Sequence, residues 1–176
     1  MPAILDRRSM LATPLLIAGA AAYSLSSRCD AVKMAPGALH DFLATPANWP
    51  KIVLSSWSVE GDTIASPLPV GSEVTEVFGA PPVLPLRVTW TCATSDRSAG
   101  TLTFKSPDGV PGIASECEMD FSITPEAAGT SSVELTMSFE PASPLVLAAV
   151  PLLAADNALA LNILLPRAVA PSALGT

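Results

Sequence analysis

The chain has 176 residues, 49% of them apolar and 14% charged, and a formal charge of −7 from 9 basic and 16 acidic side chains. That length supports one domain with a sizeable core, and that balance excludes a disordered chain or a solvated coiled coil. Lysine occurs only at Lys33, Lys51 and Lys105, so little is available to neutralise a phosphate backbone and nucleic-acid binding is excluded.

Residues 1–22 differ from the rest. Arg7 and Arg8 precede an uncharged run from Ser9 to Ala22 that ends in Ala20-Ala21-Ala22, the three-part pattern of an export signal. The run is too short for a comfortable membrane span, and the arginine pair before Ser9-Met10-Leu11 resembles a twin-arginine signal. The expected destination is a bacterial periplasm or a thylakoid lumen. The alternative is an ordinary helical N-terminus on a cytoplasmic or membrane-associated protein. A domain is expected over 23–170, followed by a short tail over 171–176.

Ser24 to Val32 has strand character and leads into Ala35-Pro36-Gly37, where proline starts a helix. Ala38, Leu39, Phe42 and Leu43 fall on one helical face. Thr45 is a good N-cap for a second short helix from Pro46 to about Ile52. His40 and Asp41 invite reading as a base and its orienter, but adjacent helical residues diverge by about 100°. The expectation for His40 is solvated surface.

Six further strands are predicted by a period of two: Trp57–Glu60, Glu73–Phe78, Leu86–Cys92, Gly100–Lys105, Ala114–Ile123 and Ser132–Phe139. In Ala114–Ile123, Glu116, Glu118 and Asp120 alternate with Cys117, Met119 and Phe121. In Ser132–Phe139, Glu134, Thr136 and Ser138 alternate with Val133, Leu135, Met137 and Phe139. Gly61-Asp62, Asp108-Gly109 and Gly129 supply turns. The prolines of Gly79–Pro85 argue against ladder pairing there and for a stiff loop.

From Ser143-Pro144 to Leu165 the chain is apolar, with Asp156 as its only charge and Pro151 as a kink or late start. Such a run is long enough for a membrane anchor. Asp156, Asn157 and Asn162 would be costly in lipid, and the dry sheet face needs a cover, so a buried helix across that face is expected. Lacking a strong polar face, this helix could also press against a second copy, giving a homodimer, or touch a membrane surface as a peripheral contact.

The order strand, two short helices, six strands, long helix resembles the START-like or SRPBCC superfamily, which includes polyketide cyclases, aromatase-cyclases, lipid-transfer domains and the birch pollen allergen family. Asp41-Phe42-Leu43 with Pro46-Ala47-Asn48-Trp49-Pro50-Lys51 looks like the helix-loop segment of the polyketide cyclase/dehydrase branch. Val70-Gly71-Ser72-Glu73-Val74 is similar to the turn entering that branch's third strand. The resemblance runs from about Ser24 to Ala170. It departs in a short, polar first strand and in a last helix without the basic residues often found there. It implies an α+β helix-grip fold: a curved seven-stranded antiparallel sheet, two short helices and a long C-terminal helix, enclosing a cavity for a lipid, sterol, isoprenoid or polyketide-like molecule.

Strand parity and that implied cavity together select Val74, Phe78, Val88, Trp90, Phe104, Cys117, Met119, Phe121, Leu135, Met137 and, from the last helix, Leu152 as the lining. Plain core is the alternative for any one of them. Glu76 shares a face with Val74 and Phe78; a desolvated carboxyl there would have a raised pKa suited to proton transfer, unless a bulge turns it outward. Asp156 is a second inward candidate, with a cap or surface position as the alternative. His40 is the only histidine, and Cys29, Cys92 and Cys117 lie far apart with no C-x-x-C spacing. No metal site or cofactor is therefore expected, and the cysteines read as small buried apolar residues. Without a G-x-S-x-G elbow or a Gly-rich phosphate loop, the functions left are a binding or transfer protein for a hydrophobic small molecule, or a cyclase or dehydratase using an inward carboxylate. A structural or assembly partner is a third.

Overall fold

In a computed structural model, residues 22–80 and 84–170 are described. The export-signal segment and the tail from 171 lie outside them, Ala22 apart. Seven strands form one antiparallel sheet in the order β1-β7-β6-β5-β4-β3-β2. They are β1 (Tyr23–Val32), β2 (Ser56–Glu60), β3 (Glu73–Ala80), β4 (Leu84–Asp96), β5 (Thr101–Ser106), β6 (Ala114–Pro125) and β7 (Ser131–Pro141). From β2 to β7 each strand pairs with its successor, as short connections favour, and β1 pairs with β7 at the far edge.

Between β1 and β2 lie α1 (Pro36–Ala44), one 3₁₀ turn (Pro46–Asn48) and α2 (Trp49–Ile52). Side chains satisfy the last carbonyls of α1. Thr45 Oγ1 donates to Asp41 O at 2.7 Å, Asn48 Nδ2 to Phe42 O at 2.9 Å, and Trp49 Nε1 to Leu43 O at 2.9 Å. These bonds fix the angle between the helices and leave no orphan acceptors at the turn. Thr45 thus reaches backward to the helix before it and makes no side-chain cap for the turn that follows.

Leu39 and Leu43 are buried with His40, which is only 2% exposed, contrary to the surface position expected from its neighbour Asp41. The reason is tertiary: α1 lies against the sheet, His40 Nε2 is 3.3 Å from Thr101 O, and Asp41 is held at 3.0 Å by Arg97 from the β4–β5 turn. That turn needs Gly100, whose φ is +70° and where a Cβ would stand 2.2 Å from Ile123 O.

The β3–β4 ladder runs further than the prolines suggested, with Gly79 opposite Pro85 and Ala80 opposite Leu84. Gly79 N–H is committed to Ser55 O at 3.0 Å on its other side. Gly79 and Pro85 are therefore a pair of the kind that exchanges no hydrogen bond, and the donor that proline lacks is not missed.

The apolar stretch after β7 is a broken helix. A 3₁₀ segment (Pro144–Ala149) leads into α3 (Val150–Leu159), a π-helical turn (Ala160–Leu164) and α4 (Leu165–Ala168). Pro151 sits in the first turn of α3, where its missing N–H costs nothing. By length and composition Pro144–Ala168 could cross a membrane. The expectation of a buried helix holds for one face only: Asn157, Ala160, Leu161 and Leu165 are buried, whereas Leu145 and Leu152 are 85% and 73% exposed.

Candidate functional site

Inward side chains of the sheet and of α3 leave a cavity of about 160 Å³ between them. Phe78 of β3, Val88 and Trp90 of β4, Cys117, Met119 and Phe121 of β6, and Leu135 and Met137 of β7 all line it. These are positions selected from strand parity. The parity survives in β6 because the one-residue bulge between Ser115 and Glu118, with Glu116 at φ +49°, falls before the lining residues Met119 and Phe121.

Three selected residues lie elsewhere. Phe104 is fully buried, but its ring meets Trp49 edge-on at 5.0 Å, so α2 occupies the space it would have lined. Val74 is 2% exposed and belongs to the core without reaching the cavity wall. Leu152 points away from the sheet, and its neighbour Leu153 takes the inward place. The inward face of the helix is Leu153, Asp156, Asn157, Ala160 and Leu161, spaced by three, four, seven and eight. A helix apolar all round carries no signal that sets this phase, apart from the polar pair at its centre.

Glu76 faces inward and is 8% exposed. It stands opposite Val88 in the regular β3–β4 ladder, so no bulge in that ladder turns it out. Its Oε2 accepts a hydrogen bond from Trp90 Nε1 at 2.9 Å. Burial pushes its carboxyl above the usual range; the nearby Ser56 hydroxyl and the Trp90 N–H draw it back, and the charge of Asp156 raises it again. Ser56 Oγ is buried near Glu76, whose ionised form it favours, and makes no regular hydrogen bond of its own.

Ser56 escaped the sequence reading because its inward position depends on a bulge. Val59 pairs with Glu76, so Ser56, three residues earlier, would point outward in a regular strand. The register shift between Ser56 and Ser58 reverses that. Asp156 accepts a hydrogen bond from Ser55 Oγ through Oδ2, while its Oδ1 is buried without a partner, as is Asn157 Nδ2.

Chemically the cavity is an apolar chamber with one polar end. Glu76 and Asp156 are the only charged lining residues among those described, and no Lys, Arg or His faces it. Cys117 is no nucleophile at neutral pH, since burial pushes its thiol up to about 11. Among the described residues, no group of three His, Cys, Asp or Glu side chains is placed to hold a metal. Of the exposed apolar side chains, Leu54 adjoins Ser55, which bonds Asp156, and Leu152 lies one helical turn before Asp156.

No family model matches the chain, and no curated protein does. Solved structures match over most of its length. The di-domain aromatase/cyclase BexL from the BE-7585A biosynthetic pathway superposes with a TM-score of 0.63 at 18% identity, over 86% of this chain and 48% of that one. Ara h 8.0201 gives 0.53 at 15% identity, covering 80% and 95%. Norcoclaurine synthase from Thalictrum flavum, solved in complex with dopamine and hydroxybenzaldehyde, gives 0.56 at 12% identity, covering 91% and 94%. This chain thus spans about half the length of BexL and nearly all of the other two.

Proposed function

We propose that this chain, which has the helix-grip fold of the START-like proteins, binds a small apolar molecule between its sheet and its C-terminal helix and carries it unchanged. The observation that supports this most is the cavity itself: one wall from the sheet's inward parity, the other from Leu153, Ala160 and Leu161, with side chains as pliable as Met119 and Met137 between. Its size limits the ligand. An engineered dry cavity of about 150 Å³ holds benzene, so about 160 Å³ suits one ring or a short chain. A sterol or long lipid requires the helix to move outward. Mass spectrometry of what co-purifies with the native protein tests this, and a protein consistently free of any small apolar molecule counts against it.

A second reading, a cyclase or dehydratase, is favoured by Glu76, a buried carboxyl with a raised pKa at the cavity wall, and by the likeness to an aromatase/cyclase. Turnover of a polyketide-like substrate that disappears in Glu76→Gln would establish it. The exposed apolar Leu54, Leu145 and Leu152 support brief contact with a membrane surface during ligand exchange, in preference to a stable homodimer. Cosedimentation with neutral vesicles that is lost in Leu145→Ser/Leu152→Ser checks that contact. Export rests on residues 1–22 alone, and the intact mass of the native protein decides it: a mature form starting near Tyr23 supports export, and one retaining Arg7 and Arg8 removes it.

A further inference from the structure

We infer that the polar end of the cavity receives a protonated amine, which makes the ligand a small amphiphilic cation with a ring or short alkyl group behind an ammonium head. This rests on the cavity being a ligand site. A hydrocarbon would satisfy the apolar wall but leave Asp156 Oδ1 buried without a donor, which is costlier than leaving a hydrogen bond out altogether. Structural demand does not account for these groups: Ser55 occupies only one Asp156 oxygen and Trp90 only one oxygen of Glu76.

An ammonium has three donors and no acceptor. Glu76, Asp156 and Asn157 line the same chamber, and with its amide turned by half a revolution Asn157 also presents an oxygen. Three donors then meet three acceptors. Sign decides between heads. With two acids and no base on the wall, a carboxylate ligand would bring a third acidic group into a low-dielectric space with no cation to meet it. A hydroxyl offers one donor and no charge. An ammonium offsets its own desolvation and that of the carboxyls together, which is the condition under which buried charges are tolerated.

The test is calorimetric titration of the full chain with 3-phenylpropylamine, 3-phenylpropan-1-ol, 3-phenylpropanoate and butylbenzene at neutral pH. The amine should bind about tenfold or more tighter than the alcohol, the worth of one hydrogen bond to a charged group, and the carboxylate should bind weakest. Asp156→Asn should shrink the amine's advantage over butylbenzene by about tenfold. If Asp156→Asn does not fold, Glu76→Gln serves, and the wild-type ranking decides without either. An amine that binds no better than the alcohol, while butylbenzene binds, overturns this inference and leaves the carrier reading intact. Failure of all four to bind overturns the carrier reading itself.

Discussion

The Trp90 indole donates its N–H to the Glu76 carboxyl at 2.9 Å, across two neighbouring strands and within an apolar chamber. The pair ties the one strongly buried acid of the sheet to one of its largest aromatic side chains. Trp90→Phe removes that donor while keeping a ring in place. It should destabilise the domain by about 1–3 kcal/mol, the cost of a buried acceptor left unmet, as read by urea denaturation.

Because the folded state raises the pKa of Glu76, the unfolded chain gives up this proton first as pH rises. The unfolded state then binds fewer protons than the folded one, so stability is full below the ordinary glutamate range, about pH 4, and is lost as pH climbs through the folded-state value. Melting temperature measured from pH 4 to 8 should decline in the wild type relative to Glu76→Gln. The difference should vanish at the acid end and favour the variant at pH 8.

Strand parity predicts opposite outcomes at adjacent positions of β7. Leu135 is 5% exposed and faces the cavity, whereas the Glu134 side chain is 45% exposed. Leu135→Asp should abolish folding as judged by circular dichroism, since it leaves an unpaired charge in a dry core. Glu134→Gln should change stability by less than about 0.5 kcal/mol.

What could be read from residues alone was the sheet, because alternation over β4, β6 and β7 is written directly in pairs such as Glu118 beside Met119. Three features could not. Phe104 has the same parity as true lining residues, and only the arrival of Trp49 from a distant helix decides that it is core. Likewise the apolar stretch around Leu152 and Leu153 has no polar face to fix its rotation, so a shift of one residue goes unseen. The inward position of Ser56 depends on a bulge in β2 that a period of two does not register.

Trp49 lines the chamber while its ring packs edge-on against Phe104, which yields a prediction for cavity shape. Trp49→Ala should cost about 3–5 kcal/mol from lost packing, and it also removes the N–H bond to Leu43 O. If the truncated protein still folds, it should accept longer ligands than the wild type, measured by titration with alkylbenzenes of increasing chain length.

The carrier reading stands or falls on whether a ligand occupies the space between the sheet and the inward face of α3. The direct measurement is a heteronuclear NMR titration with ethylbenzene of the wild type, Leu153→Trp and Leu152→Trp. The wild type and Leu152→Trp should show saturable one-to-one shifts of the Trp90 indole N–H and the Met119 and Met137 methyl signals, because Leu152 faces solvent. Leu153→Trp should show none, its indole having filled the chamber. Absence of any saturable shift in the wild type, or equal binding by Leu153→Trp, would contradict the account.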